Sequence, residues 1–175
     1  MQLITAIIRV LQFIFAVIVL GLSVSLAKGQ VLGNVPPVTG YAAFTGGLGI
    51  IAAIVGVTAL FVSSLEGLIT WALDGVACLA FLAGGIAFAV ILRATDCGSR
   101  FTTEDNMITS GGCQRMRGEW YCGYVKSPDT LKSRCTSAKA DSAFMIISCV
   151  VCVAVVASSF FSARKSAGGG GSWGV

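Results

Sequence analysis

Four long stretches of this chain carry almost no charge, and no other feature of the sequence limits its fold as tightly. Residues 10–27, 38–65 and 143–163 hold no charged side chain, and 68–92 holds one, Asp74. A helix rises about 1.5 Å per residue, so about 20 mostly apolar residues cross the hydrocarbon core of a bilayer. Each stretch is long enough. The expected fold is therefore an all-α membrane protein, a four-transmembrane-helix bundle with spans at 7–27, 41–63, 68–92 and 143–163. Residues 93–142 form a long polar loop between the third and fourth spans, and 164–175 a Gly/Ser-rich, disordered tail.

Charge is not merely scarce but segregated. Charged residues are 11% of the 175, against about 25% in a soluble domain. Fourteen of the twenty charges fall in 93–142. A soluble globular enzyme is excluded. So is a nucleic-acid-binding domain, because the net charge of +4 is not gathered into a stripe that would track phosphates. The chain has no His, which removes imidazole catalysis and His-ligated metal. No nucleophile–base pair, glycine-rich phosphate cradle or paired carboxylates stand out. We expect no catalytic residues, no cofactor and no metal.

The first span reads as an anchor rather than a cleaved signal, because its apolar core exceeds the usual length of about 7–15 residues. Pro36-Pro37 cannot continue a helix and separates spans one and two. Ser63-Ser64-Leu65-Glu66-Gly67 reads as a tight turn that makes spans two and three an antiparallel hairpin. Four spans place both termini on one side. Arg9, Arg164 and Lys165 favour cytosolic termini, whereas the eight Lys/Arg of the long loop pull the other way.

Cysteine breaks the tie. Cys78, Cys149 and Cys152 lie in apolar spans and read as buried thiols. Cys97, Cys113, Cys122 and Cys135 all fall in the one polar loop. An even set there reads as two disulfides on the oxidising side of the membrane, since zinc would favour two Cys-x-x-Cys pairs. Three pairings are open. The nested one, Cys97 with Cys135 and Cys113 with Cys122, is preferred because it ties together the ends of the loop.

Helices in lipid associate through small residues that permit close approach. Gly21 and Ser25 on span one, Gly49, Ala53 and Gly56 on span two, and Ala80, Gly84 and Gly85 on span three supply such faces. They suit a compact bundle and a homo-oligomer or lateral assembly. Asp74 is the most informative single residue, because a carboxylate in hydrocarbon requires a partner. Arg9 lies at comparable depth, with Gln12 one turn along, so Arg9, Gln12 and Asp74 are expected to form a polar clamp. The competing reading of Asp74 is a proton or ion site. Trp120, Tyr121 and Tyr124 in the loop are candidate interfacial aromatics; the loop lies on the outer leaflet or packs on itself.

Residues 9–15 (Arg-Val-Leu-Gln-Phe-Ile-Phe), running into Gly21-Leu22-Ser23-Val24-Ser25-Leu26, resemble the first helix of fungal MARVEL-domain proteins. Trp71-Ala72-Leu73-Asp74, then Ala83-Gly84-Gly85 and Arg93-Ala94 before Cys97, resemble the third helix of that family. Arg134-Cys135, followed by Ala138, Ala140, Ala143 and Phe144, resembles the start of the fourth. Within the family, the pattern resembles the non-classical export proteins of fungal plasma membranes. The resemblance implies a MARVEL bundle with cytosolic termini, an extracellular loop and a Cys97–Cys135 disulfide. It further implies residence in furrow-like plasma-membrane domains, a part in eisosome organisation and a response to sphingolipid. Cys113 and Cys122 have no counterpart in that pattern, and their pairing rests on spacing. The expected function is non-enzymatic organisation or sensing of lateral membrane domains, with membrane lipids such as sphingolipid or sterol as partners. The alternatives are a small oligomeric channel or proton-coupled transporter centred on Asp74, or an accessory subunit of a larger complex.

Overall fold

A computed structural model describes residues 2–59, 68–122 and 127–168. Three long helices come first, α1 (Gln2–Lys28), α2 (Pro37–Ala59) and α3 (Leu68–Leu92). A polar lobe follows, with a short helix α4 (Arg100–Glu104) and a hairpin of β1 (Cys113–Met116) and β2 (Glu119–Cys122). The last element is α5 (Pro128–Gly168). All four long helices contain segments long and apolar enough to span a membrane. The turn expected at 63–67 and the last four residues of the expected second span lie outside the described residues, as does the tail beyond 168.

The bundle closes as a ring in which α1 packs on α2 and α5, and α3 on the same two. Glycine contacts fix the directions. Gly46, Gly49 and Gly56 of α2 meet Leu20, Ala16 and Arg9 of α1, so the two helices run antiparallel. Gly84 and Gly85 of α3 meet Met145 and Ile146 of α5, and Cys78 meets Cys149, again antiparallel. A Cβ at Gly46 would stand 2.7–2.9 Å from the Leu20 backbone, so only glycine allows this approach.

The distribution of side chains inverts that of a protein in water. The interior is built from small residues such as Ala16, Ala42, Ala52 and Ala77, filled in by Phe81, Phe88 and Met145. Outward stand Val10, Ile14, Ile54, Leu79, Val90 and Val150, all well exposed. In water such a surface would drive aggregation. In lipid it costs nothing, and close van der Waals contact between small residues holds the helices together.

The fourth long helix departs from expectation. It begins at Pro128 rather than 143 and runs 41 residues, about 60 Å at 1.5 Å per residue, twice the hydrocarbon thickness. Charge sets where lipid can begin, not where a helix can. Pro at the first turn needs no amide partner, and Asp129 complements the positive end of the helix dipole. Leu131, Ala138, Met145 and Cys152 are buried at seven-residue steps, as are Arg134, Asp141, Ser148 and Val155. One continuous inner stripe thus crosses the position where charges stop. The helix also continues into the expected tail, as far as Gly168.

The lobe is a fitted cap rather than a flap. Val31 and Leu32 N–H groups both donate to Gly111 O, at 2.6 and 3.1 Å. Asn106 Nδ2 donates to Ile91 O at 2.9 Å and to Thr95 Oγ1 at 3.0 Å. A Cβ at Gly112 would collide with Leu32 O, so the lobe and the α1–α2 loop touch backbone to backbone. Ile108, Thr109 and Ser110 are fully buried beneath it. The hairpin turns on Arg117 and Gly118, at φ 52° and 93°, the two positive values of a tight primed turn.

Candidate functional site

Arg9 and Asp74 meet inside the bundle. Arg9 Nη1 and Nη2 donate to Asp74 Oδ1 and Oδ2, each at 2.6 Å, a two-pronged pair with exposures of 2% and 1%. Gln12 braces both partners. Its Oε1 accepts from Arg9 Nη1 at 3.0 Å, and its Nε2 donates to Asp74 Oδ1 at 3.3 Å and Cys152 Sγ at 3.4 Å. On the fourth side, Gly56 leaves room for the guanidinium, which a Cβ there would strike. One polar knot therefore draws on all four long helices. Asp74 lies six residues into α3, about 9 Å by helical rise. Neutralisation is the condition for its existence, because either ion alone would be a bare charge in hydrocarbon.

Three thiols lie on the same helices as this knot, and one of them, Cys152, touches it. Cys78 Sγ lies 3.4 Å from Cys149 Sγ across the α3–α5 contact, and all three cysteines are free. Cys152 faces Gln12, so the Cys149-x-x-Cys152 spacing serves two separate contacts.

A second buried carboxylate escaped the reading of the sequence. Asp141 is fully buried, accepts from Ser23 Oγ at 2.7 Å through Oδ2, and leaves Oδ1 without a partner among the described residues. Counting it as loop hid it. Its place on the seven-residue stripe between Arg134 and Ser148 is the signal that would have found it.

Arg134, which the sequence marks only through the family resemblance of its Arg-Cys step, is a second such residue. It is buried and holds three carbonyls, Thr109 O at 3.2 Å, Leu26 O at 3.2 Å and Ile108 O at 3.0 Å. Leu26 O belongs to the last turn of α1, where unpaired carbonyls and the negative end of the dipole favour a cation. This one side chain joins α1, α5 and the lobe. Beside it Cys97 is bonded to Cys135, while Cys113 is bonded to Cys122 at the open end of the hairpin.

The small residues separate into two groups. Gly49, Ala53, Gly56, Ala80, Gly84 and Gly85 face into the bundle. Gly21 and Ser25 face out: nothing lies within 4 Å of a Cβ at Gly21, and Ser25 is exposed, so no helix among the described residues packs on them. Of the aromatics, Tyr121 is half exposed, the Trp120 side chain and Tyr124 lying outside the described residues.

No match was found among curated proteins or among solved structures. The family model named MARVEL, a membrane-associating domain, matches residues 2–158, which takes in α1 to α3, all but the last ten residues of α5, the buried ion pair and the whole lobe. A multi-pass membrane protein built on four apolar helices, the chain belongs to the MARVEL family.

Proposed function

We propose that this protein is a non-enzymatic organiser or sensor of lateral domains in the plasma membrane, of the eisosome type and responsive to sphingolipid. It works by helix packing and lipid contact, and its copies associate laterally. Both termini lie in the cytosol and the lobe outside the cell. That orientation draws on the two disulfides in the lobe and on Arg9, Arg164 and Lys165 at the opposite end.

One observation carries the reading: the carboxylate within the apolar part of the bundle, Asp74, is spent on Arg9 while the small-residue face at Gly21 and Ser25 is open to the bilayer. Asp74 has both oxygens engaged by Arg9, so its charge is consumed in holding four helices in register. A carrier needs a carboxylate that exchanges partners. An organiser needs a rigid body with an outer surface that lipid and neighbours can read.

The deciding experiment has two arms. A fluorescent fusion should concentrate in discrete plasma-membrane domains and redistribute when sphingolipid synthesis is inhibited. Purified protein in liposomes should carry no proton or ion flux. An even distribution indifferent to sphingolipid, or a flux abolished by Asp74→Asn, overturns the proposal, the second outcome in favour of transport.

A further inference from the structure

A cavity of about 610 Å³ opens between the α1–α2 loop and the lobe. It falls within the size range of small-molecule sites. Its walls carry one cation, Arg115, and three carboxamides, Gln30, Asn34 and Gln114, with Val35 and Met107 as apolar surface. Among the described residues no carboxylate lines it. Pro36 and Pro37 also face it, so the positive end of the 23-residue α2 adds its dipole to the charge of Arg115.

Arg115 lines the cavity as an exposed side chain with part of its guanidinium unengaged. Its Nε donates to Gly118 O at 3.3 Å, which holds the side chain against its own hairpin turn. Its two terminal amino groups make no hydrogen bond among the described residues. A guanidinium fork left open in this way matches the geometry of a phosphate. The walls are fixed from both sides, by the Cys113–Cys122 bond below the hairpin and by the Val31 and Leu32 amides on Gly111 O.

Position supplies the rest. The α1–α2 loop joins the ends of two spans, so it lies at the level of the headgroups. Val31, Val35 and Met107, exposed at or beside the rim, are suited to the acyl boundary.

We infer that this cavity is a binding site for an anionic phosphorylated headgroup, held by Arg115 and the surrounding carboxamides. The site gives chemical content to the lipid contact proposed above and rests on the membrane-spanning reading, not on lateral organisation.

The test uses the full chain in nanodiscs of phosphatidylcholine doped with phosphatidylinositol, followed by native mass spectrometry of the lipid retained. A charge-assisted contact corresponds to about tenfold or more in affinity, so wild type should retain phosphatidylinositol about tenfold over its share of the nanodisc. Arg115→Ala should abolish the enrichment, with both disulfides intact by mass and thermal unfolding unchanged. Arg115→Lys should keep part of it. Soluble glycerol 3-phosphate that competes assigns the site to phosphate esters in general. Failure to compete, with enrichment retained, assigns it to the lipid. Equal retention of both lipids by wild type, or undiminished enrichment in Arg115→Ala, overturns the inference, and neither result bears on where the protein concentrates in a cell.

Discussion

Arg9 and Asp74 survive in the bundle only as a pair, and this makes their substitution strongly asymmetric. Removing one partner leaves the other charged, desolvated and alone, at a cost of about 3–5 kcal/mol. Replacing both by apolar residues of similar volume removes the desolvation cost along with the attraction. Arg9→Ala or Asp74→Ala alone should therefore lower stability in detergent by about 3–5 kcal/mol, while Arg9→Met with Asp74→Leu should recover most of the loss. Thermal unfolding of the three variants measures this directly, and single variants as stable as the parent would refute the clamp. Gly56→Ala probes the same knot from α2. A free arginine would swing away from the added methyl, but this guanidinium is held by two bonds to Asp74, so the strain falls on the ion pair. The penalty of Gly56→Ala should shrink once Arg9→Met and Asp74→Leu have removed the ion pair, a coupling that a double-mutant cycle reads.

At the scale of elements, the two disulfides do unequal work. Cys97–Cys135 spans 38 residues and joins the segment that follows α3 to the early turns of α5, whereas Cys113–Cys122 spans 9 within one hairpin. The chain-entropy model gives about 4 kcal/mol for the first and about 3 kcal/mol for the second. Cys97→Ala with Cys135→Ala should lower the unfolding midpoint more than Cys113→Ala with Cys122→Ala. Arg134→Ala should free the lobe without unfolding the spans, seen as faster hydrogen exchange at 108–112 with the core of α3 still protected. A uniform loss of protection would instead make the lobe part of the bundle's own core. These elements also show what the sequence could and could not announce. Spans one to three were legible because lipid demands length and apolarity, which a chain displays residue by residue. The convergence of Arg9, Gln12 and Asp74 was legible because a lone charge in hydrocarbon requires an opposite one at equal depth. The start of α5 was not, because charge marks the edge of the bilayer while a helix answers to its inner stripe. Asp141 and Arg134 were lost with that boundary. The cap was invisible for another reason: its backbone contacts to the α1–α2 loop join segments about 80 residues apart, and no periodicity records them.

For the molecule as a whole, an inverted body separates the surface that carries stability from the surface on which the proposed lateral association would rest. The interior small residues set how closely the four helices approach, and the ring they close leaves no long helix unpaired. The outward pair at Gly21 and Ser25 contributes nothing to that closure, since an added side chain at Gly21 meets open space. In a soluble protein an idle glycine on a helix surface is merely unfavourable, by about 1 kcal/mol against alanine. In lipid it also leaves a notch into which another helix can settle, because close approach is what drives association there. Gly21→Leu with Ser25→Leu should leave the unfolding midpoint unchanged or slightly raised, as better helix formers replace poorer ones. The same variant should reduce energy transfer between donor- and acceptor-labelled copies in vesicles at equal protein density. Gly49→Leu is the control on the inner face, where Phe81 and Ala16 stand at 2.6–3.0 Å from a Cβ, and it should destabilise the single chain instead. Undiminished energy transfer in the outer-face variant would mean that copies meet through another surface, and a destabilised outer-face variant would mean that the two surfaces are not separate.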